Sequence, residues 1–93
     1  MEAQLEKNIR EVMNQPQVTG AMCIDRKGLC LTAKGNADSS AAGFLSEISK
    51  FANQIVSSDG DSPVVALEYS KSQILLKGGE SVCTVIYKEK QQK

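Results

Sequence analysis

Cys23, Cys30 and Cys83 are the residues of this 93-residue chain best suited to chemistry of their own. The first two bracket a turn, in the stretch MCIDRKGLCL from Met22 to Leu31. A thiol pair can form a redox couple, and thiols with further ligands can hold zinc. Neither pattern is met. No Cys-x-x-Cys occurs, and the chain has no histidine. That absence removes Ser-His-Asp and Cys-His catalysis, His-ligated zinc and imidazole general-base work. Structural zinc takes four ligands, which three scattered thiols do not supply.

The turn between the two cysteines decides whether they meet. Asp25 in the first position and Gly28 in the fourth suit a type I turn, with Gly28 left-handed at the end of a three-residue hairpin loop. In that register Asp25 opposes Leu29, Ile24 opposes Cys30 and Cys23 opposes Leu31. Side chains alternate between the faces of a strand. Cys23, Leu29 and Leu31 then share one face, and Met22, Ile24, Cys30 and Thr32 the other, so the cysteines cannot bond or share a metal. A two-residue loop would instead set them directly opposite. Buried cysteines acting as small hydrophobes are the reading adopted.

Two further stretches fail their tests. KGGESV, Lys77–Val82, lacks the G-x-x-x-x-G-K-[ST] spacing and leads into a strand, whereas a phosphate cradle needs helix N-terminal amides behind it. Asp59 and Asp61 hint at calcium, but position twelve counted from Asp59 is Ser70 and not the bidentate Glu of an EF-hand loop. No catalytic residue, cofactor or metal is expected, and the chain is not read as an enzyme.

Eleven Lys and Arg balance eleven Asp and Glu, which gives no general attraction to nucleic acid or anionic membrane. The charged start, MEAQLEKNIREV, is not a signal peptide. No apolar run approaches the roughly 18 residues of a membrane span. No lipidation motif is present, and an odd cysteine count fits a reducing compartment. A soluble, cytoplasmic protein is expected, held at any membrane only indirectly.

The elements follow from period and punctuation. Leu5, Ile9, Val12 and Met13 lie on one face of a helix that Pro16 ends near Asn14. VTGAMCI and LCLTAK are strands. Asp38 or Ser39 caps a second helix of about Ser40 to Ser57. Strands over Val64–Tyr69, Gln73–Lys77 and Ser81–Lys88 follow, the last apolar on both faces and therefore central. The expected class is α+β: two helices and a five-stranded, mostly antiparallel sheet in the order α-β-β-α-β-β-β. One domain spans 1–93, with 88–93 as a flexible tail and no third helix at the C-terminus.

The second helix carries more apolar surface than one contact needs. Ala41, Leu45, Ala52 and Val56 form one stripe, and Phe44, Ile48, Phe51 and Ile55 another. A singly packed surface helix needs an apolar arc of only about 100°. Five strands about 4.8 Å apart also make a sheet too wide for two helices about 10 Å across to shield on both faces. An exposed apolar patch, and hence an interface, is expected.

The chain resembles the roadblock family, and within it the short subunits of the Ragulator complex. The similarity covers nearly its whole length and rests on MEAQLEKNIREVM, VTGAMCIDRKGLCL with KGNADSSAAG, and SPVVALE with VCTVIYK. The resemblance implies a non-catalytic scaffold subunit on the cytosolic face of the lysosome, in a complex that recruits Rag GTPases and supports amino-acid signalling to the TOR kinase. It implies three kinds of partner: a second short roadblock subunit, a lipid-anchored scaffold subunit filling the bare sheet face, and Rag GTPases through the complex. Roadblock pairing through the third strand and second helix places the interface on Val64, Val65, Ala66, Leu67, Glu68 and Tyr69, and on Phe44, Ile48, Phe51 and Ile55. Self-pairing when isolated, or service as a dynein light chain, is the alternative.

Overall fold

The computed structural model describes residues 2–55, 63–79 and 81–90. The elements in chain order are α1 (Glu2–Met13), β1 (Val18–Asp25), β2 (Cys30–Gly35), a short 3-10 turn (Ser39–Ala41), α2 (Ala42–Ile55), β3 (Val64–Glu68), β4 (Ser72–Gly78) and β5 (Val82–Glu89). The strands form one sheet in the order β2-β1-β5-β4-β3, and every pairing is antiparallel. This is the α+β arrangement expected, with β5 at the centre and β2 and β3 as its edges.

Strand alternation divides the apolar residues between two layers. Met22, Ile24, Leu76, Cys83 and Val85 point to one face, where Ala42 and Leu45 of α2 close over them. Ala21 and Cys23 point to the other, beneath Ile9 of α1, with Leu5, Val12 and Met13 around it. Burying an aliphatic side chain of this size is worth about 1.5–3 kcal/mol. The fully buried Ile9, Met22, Ile24, Leu76 and Val85 are therefore the main anchors of both layers.

The β1–β2 turn is the three-residue loop. The amide of Asp25 donates to the carbonyl of Leu29 at 2.8 Å, that of Gly28 donates to the carbonyl of Asp25 at 3.1 Å, and Gly28 has φ +90°. The Asp25 carboxylate fastens the loop by accepting from the amides of Lys27 and Leu29, each at 2.9 Å. Ile24 opposes Cys30 as expected, but Cys23 opposes Thr32 and not Leu31. A bulge leaves Leu31 without a partner, which moves Thr32 to the Cys23 side. Beyond it the two strands return to regular alternation, with Met22 opposite Ala33. The separation of Cys23 and Cys30 onto opposite faces is unaffected.

Asp38 is the cap: its carboxylate accepts from the amide of Ser40 at 2.9 Å and from its hydroxyl at 2.6 Å. The helix begins with the 3-10 turn and is described as far as Ile55; Val56 and Ser57 lie outside the described residues, as do Asp59 and Asp61. Its deepest residues are Ala42, Leu45, Ser46 and Ser49, with Ala41 and Ala52 only partly buried beside them. The inner stripe is thus rotated from the one expected. The serines fit because glycine opposes them: a Cβ on Gly78 would stand 2.9 Å from Ser49 Oγ.

Two boundaries differ from expectation. Tyr69 lies beyond β3, where its amide closes the β3–β4 turn on the carbonyl of Ser72 at 2.9 Å. β5 runs on through Glu89, and the amide of Lys90 donates to the carbonyl of Lys71 at 3.0 Å. Residues 88–90 of the expected 88–93 tail are therefore tied into the sheet, because β4 is long enough to offer them partners; 91–93 lie outside the described residues.

Candidate protein–protein interface

Among the described residues β3 pairs on one side only, with β4 from Val64↔Lys77 to Glu68↔Gln73. Its outer edge presents the backbone donors and acceptors that a further strand could take. Val65 and Leu67 turn inward against the α2 layer. Val64 and Ala66 turn to the opposite face and are exposed, as is Glu68. Glu68 is fastened to its own sheet: its carboxylate meets Lys90 Nζ at 2.9 Å and accepts from Gln73 Nε2 at 2.9 Å. The hydrogen bond from Lys90, then its charge, hold the Glu68 carboxyl below its ordinary pKa.

On α2, Phe44, Phe51 and Ile55 are 76%, 63% and 82% exposed. They occupy one flank, at the spacing that returns to the same face of a helix. Ile48, in the same stripe, is half-buried and packs on the core, so the stripe is three exposed side chains with one anchor. Exposed residues of this size at helical spacing form a contiguous apolar surface of the kind that marks an interaction site. The structure places all ten expected residues at or beside these two features. Tyr69, 52% exposed, sits on the turn and not in the strand.

A second apolar surface lies on the opposite side of the sheet. α1 covers the β1–β2 half of that face. Over the β3–β5 half, an open groove of 480 Å³ is lined by Val64, Leu75, Val82, Thr84 and Ile86, with Lys77 beside them. Among the described residues nothing covers this area, in line with two helices too narrow to shield both faces of a sheet with apolar residues on each.

The cysteines have no catalytic geometry. Cys23 and Cys83 are buried, and desolvation pushes both thiols above their ordinary pKa, against the smaller opposing effect of hydrogen bonds from Thr84 and Ser49 respectively. A thiolate is the reactive species, so this shift makes them poorer nucleophiles. Cys30 is half-buried, its thiol directed to the carbonyl of Thr32 at 3.5 Å. Among the described residues no three His, Cys, Asp or Glu side chains gather as a metal would require, and no helix is long and apolar enough to cross a membrane.

The family model for Ragulator complex protein LAMTOR5 matches residues 1–88. The chain belongs to that family. A Ragulator complex protein LAMTOR5 homolog from Nematostella vectensis is 34% identical over 88 residues, covering 95% of this chain and 97% of the relative. The Xenopus tropicalis Ragulator complex protein LAMTOR5 is 30% identical over the same share of both chains. Membership makes the protein a Ragulator complex subunit of the roadblock type. Solved structures agree on the fold. Myxococcus xanthus MglB superposes with a TM-score of 0.81 at 12% identity, over 99% of this chain and 74% of the other. A Roadblock/LC7 domain from Streptomyces avermitilis gives 0.70 at 18% identity, over 96% and 78%.

Proposed function

We propose that this family member is a non-catalytic adaptor, the counterpart of the short Ragulator subunit also called hepatitis B virus X-interacting protein. It acts in a complex on the cytosolic face of the lysosome that recruits Rag GTPases and supports amino-acid-dependent activation of the TOR complex. The observation that carries this reading is the coincidence of an unpaired β3 edge with an exposed apolar stripe on α2. A second short roadblock subunit supplies a strand to the first and a helix to the second. Backbone hydrogen bonds set the alignment, and the aromatic stripe supplies affinity.

The groove at Val64, Leu75 and Ile86 receives a segment of the lipid-anchored scaffold subunit. The protein reaches the membrane only through that subunit, contacts no nucleic acid, and meets Rag GTPases as part of the assembly.

One observation favours a second reading, a homodimer of the isolated chain in the manner of a roadblock-type dynein light chain. Pack two copies of α2 antiparallel about a two-fold axis, and Phe44 faces the partner's Ile55 while Ile48 faces the partner's Phe51. The stripe is self-complementary, as an isologous interface requires. Affinity purification of the tagged chain from cells, with partners identified by mass spectrometry, separates the two. Recovery of another roadblock subunit with a lipid-anchored scaffold supports the Ragulator assembly. Recovery of dynein intermediate chain, or of this chain alone, rejects it.

A further inference from the structure

β3, VVALE, carries a single charged side chain, that of Glu68 at its end. A strand added at the outer edge sets a residue about 4.5–5.5 Å from each position it faces. It therefore removes water from one side of Glu68. Desolvating a carboxylate costs free energy unless a partner compensates it, and charged side chains are one of the means by which edge strands avoid pairing. Left to itself, Glu68 would oppose pairing at this edge.

Two donors on the inner side counter that. Gln73, opposite Glu68 on β4, donates from Nε2 to Glu68 Oε2 at 2.9 Å. Lys90 Nζ meets Oε1, also at 2.9 Å. β4 lies between β3 and β5. A lysine just past the end of β5 thus reaches Glu68 only across β4, and the carboxylate is drawn away from the outer edge. Lys90 is itself held in place. Its amide donates to the carbonyl of Lys71 at 3.0 Å, and the amide of Glu89 beside it donates to the carbonyl of Gln17 at 2.9 Å. Its side chain is only 33% exposed. An isolated surface pair is worth little, because two long side chains must be ordered to make it. Here the backbone is fixed at both ends and a third group joins the contact.

We propose that Lys90 is a positioning residue for pairing at β3: with Gln73 it holds the Glu68 carboxylate inward and compensated, so that the edge can take a strand. The inference rests on the β3 edge being the pairing surface. It holds for a second roadblock subunit and for a second copy of this chain alike.

The test is a charge cycle on the full-length chain. Affinity is read by isothermal titration with the roadblock subunit recovered in the affinity purification, or by sedimentation equilibrium if the chain pairs with itself. Lys90→Met leaves the carboxylate uncompensated and weakens pairing roughly threefold, the loss of one surface ion pair. Lys90→Arg keeps the charge and pairs as the wild type does. Adding Glu68→Gln to Lys90→Met removes the carboxylate that needs compensating and recovers most of the loss, which damage to the fold would not allow. Wild-type affinity in Lys90→Met, or a double variant as weak as Lys90→Met, would overturn the assignment. Amide exchange of Val64–Glu68 in the wild-type complex separates the two levels of the argument. If β3 gains no protection, the pairing reading falls and the role of Lys90 with it. If β3 is protected and Lys90→Met pairs normally, only the role of Lys90 falls.

Discussion

Phe44 and Phe51, the only phenylalanines of the chain, stand two helical turns apart on one flank of α2, and both are largely exposed. Their neighbour Ile48 is drawn into the core between them. Neither ring contributes to the described core clusters of the monomer. An uncovered aromatic pair on a small domain has its energetic use in a complex, where buried aromatics dominate binding.

Phe51→Asp should therefore leave the fold intact and abolish pairing with the roadblock subunit proposed as its partner. A hot-spot aromatic of this kind is worth about 2–4 kcal/mol, a thirtyfold loss or more. Co-purification checks the pairing and circular dichroism the fold. Normal recovery of the partner by a folded Phe51→Asp chain excludes the stripe as the interface.

The same substitution at two glycines should have opposite signs. Gly35 has φ +65°, and a Cβ there would collide with the carbonyl oxygen of Thr19. Gly43 lies in α2 with nothing within 4 Å of an added Cβ. Gly35→Ala should destabilise by more than 1 kcal/mol, about the strain cost of one left-handed residue, plus the clash. Gly43→Ala should stabilise by about 0.5–1 kcal/mol through helix propensity. Urea denaturation of both variants measures the contrast, and a destabilised Gly43→Ala would show that the helix packs more closely there.

Thiol labelling should rank the cysteines. Cys30 reacts with a maleimide first; Cys23 and Cys83, buried and with raised pKa, react slowly in the native state. Mass spectrometry of the labelled chain reads the order. Equal rates at all three would contradict the burial described.

The Glu68–Lys90 contact carries a pH signature. The folded-state pKa of Glu68 is lowered, so its contribution is present above the ordinary glutamate value and is lost as pH falls through the lowered one. Lys90→Met should return the Glu68 carboxyl toward its ordinary value and flatten that part of the acid-unfolding curve. NMR titration of the Glu68 side chain in both chains is the measurement; identical titrations in the two would remove Lys90 as the cause.

The parts of this fold legible in sequence were those set by local rules. Two-faced apolarity located β5 at the sheet centre, and Asp25 with Gly28 specified the three-residue loop. The bulge at Leu31 was not legible, because Leu31 and Thr32 can each oppose Cys23 without exposing a charge. Ser46 and Ser49 were missed for a different reason. Polar residues in an amphipathic helix read as solvent-facing, and their burial depends on glycines distant in the chain, Gly28 and Gly78, that bring the sheet close. The stripe of Phe44, Phe51 and Ile55 was legible as surplus apolar surface. What would cover it was not, since the outer edge of β3 offers only backbone groups, which every strand possesses.

Amide hydrogen exchange across Val64–Glu68, in the free chain and in the chain bound to the roadblock subunit proposed as its partner, tests the interface most directly. Strong new protection in β3, together with protection of α2 around Phe44–Ile55, is the predicted result. A stable complex in which both segments exchange as fast as in the free protein would contradict it.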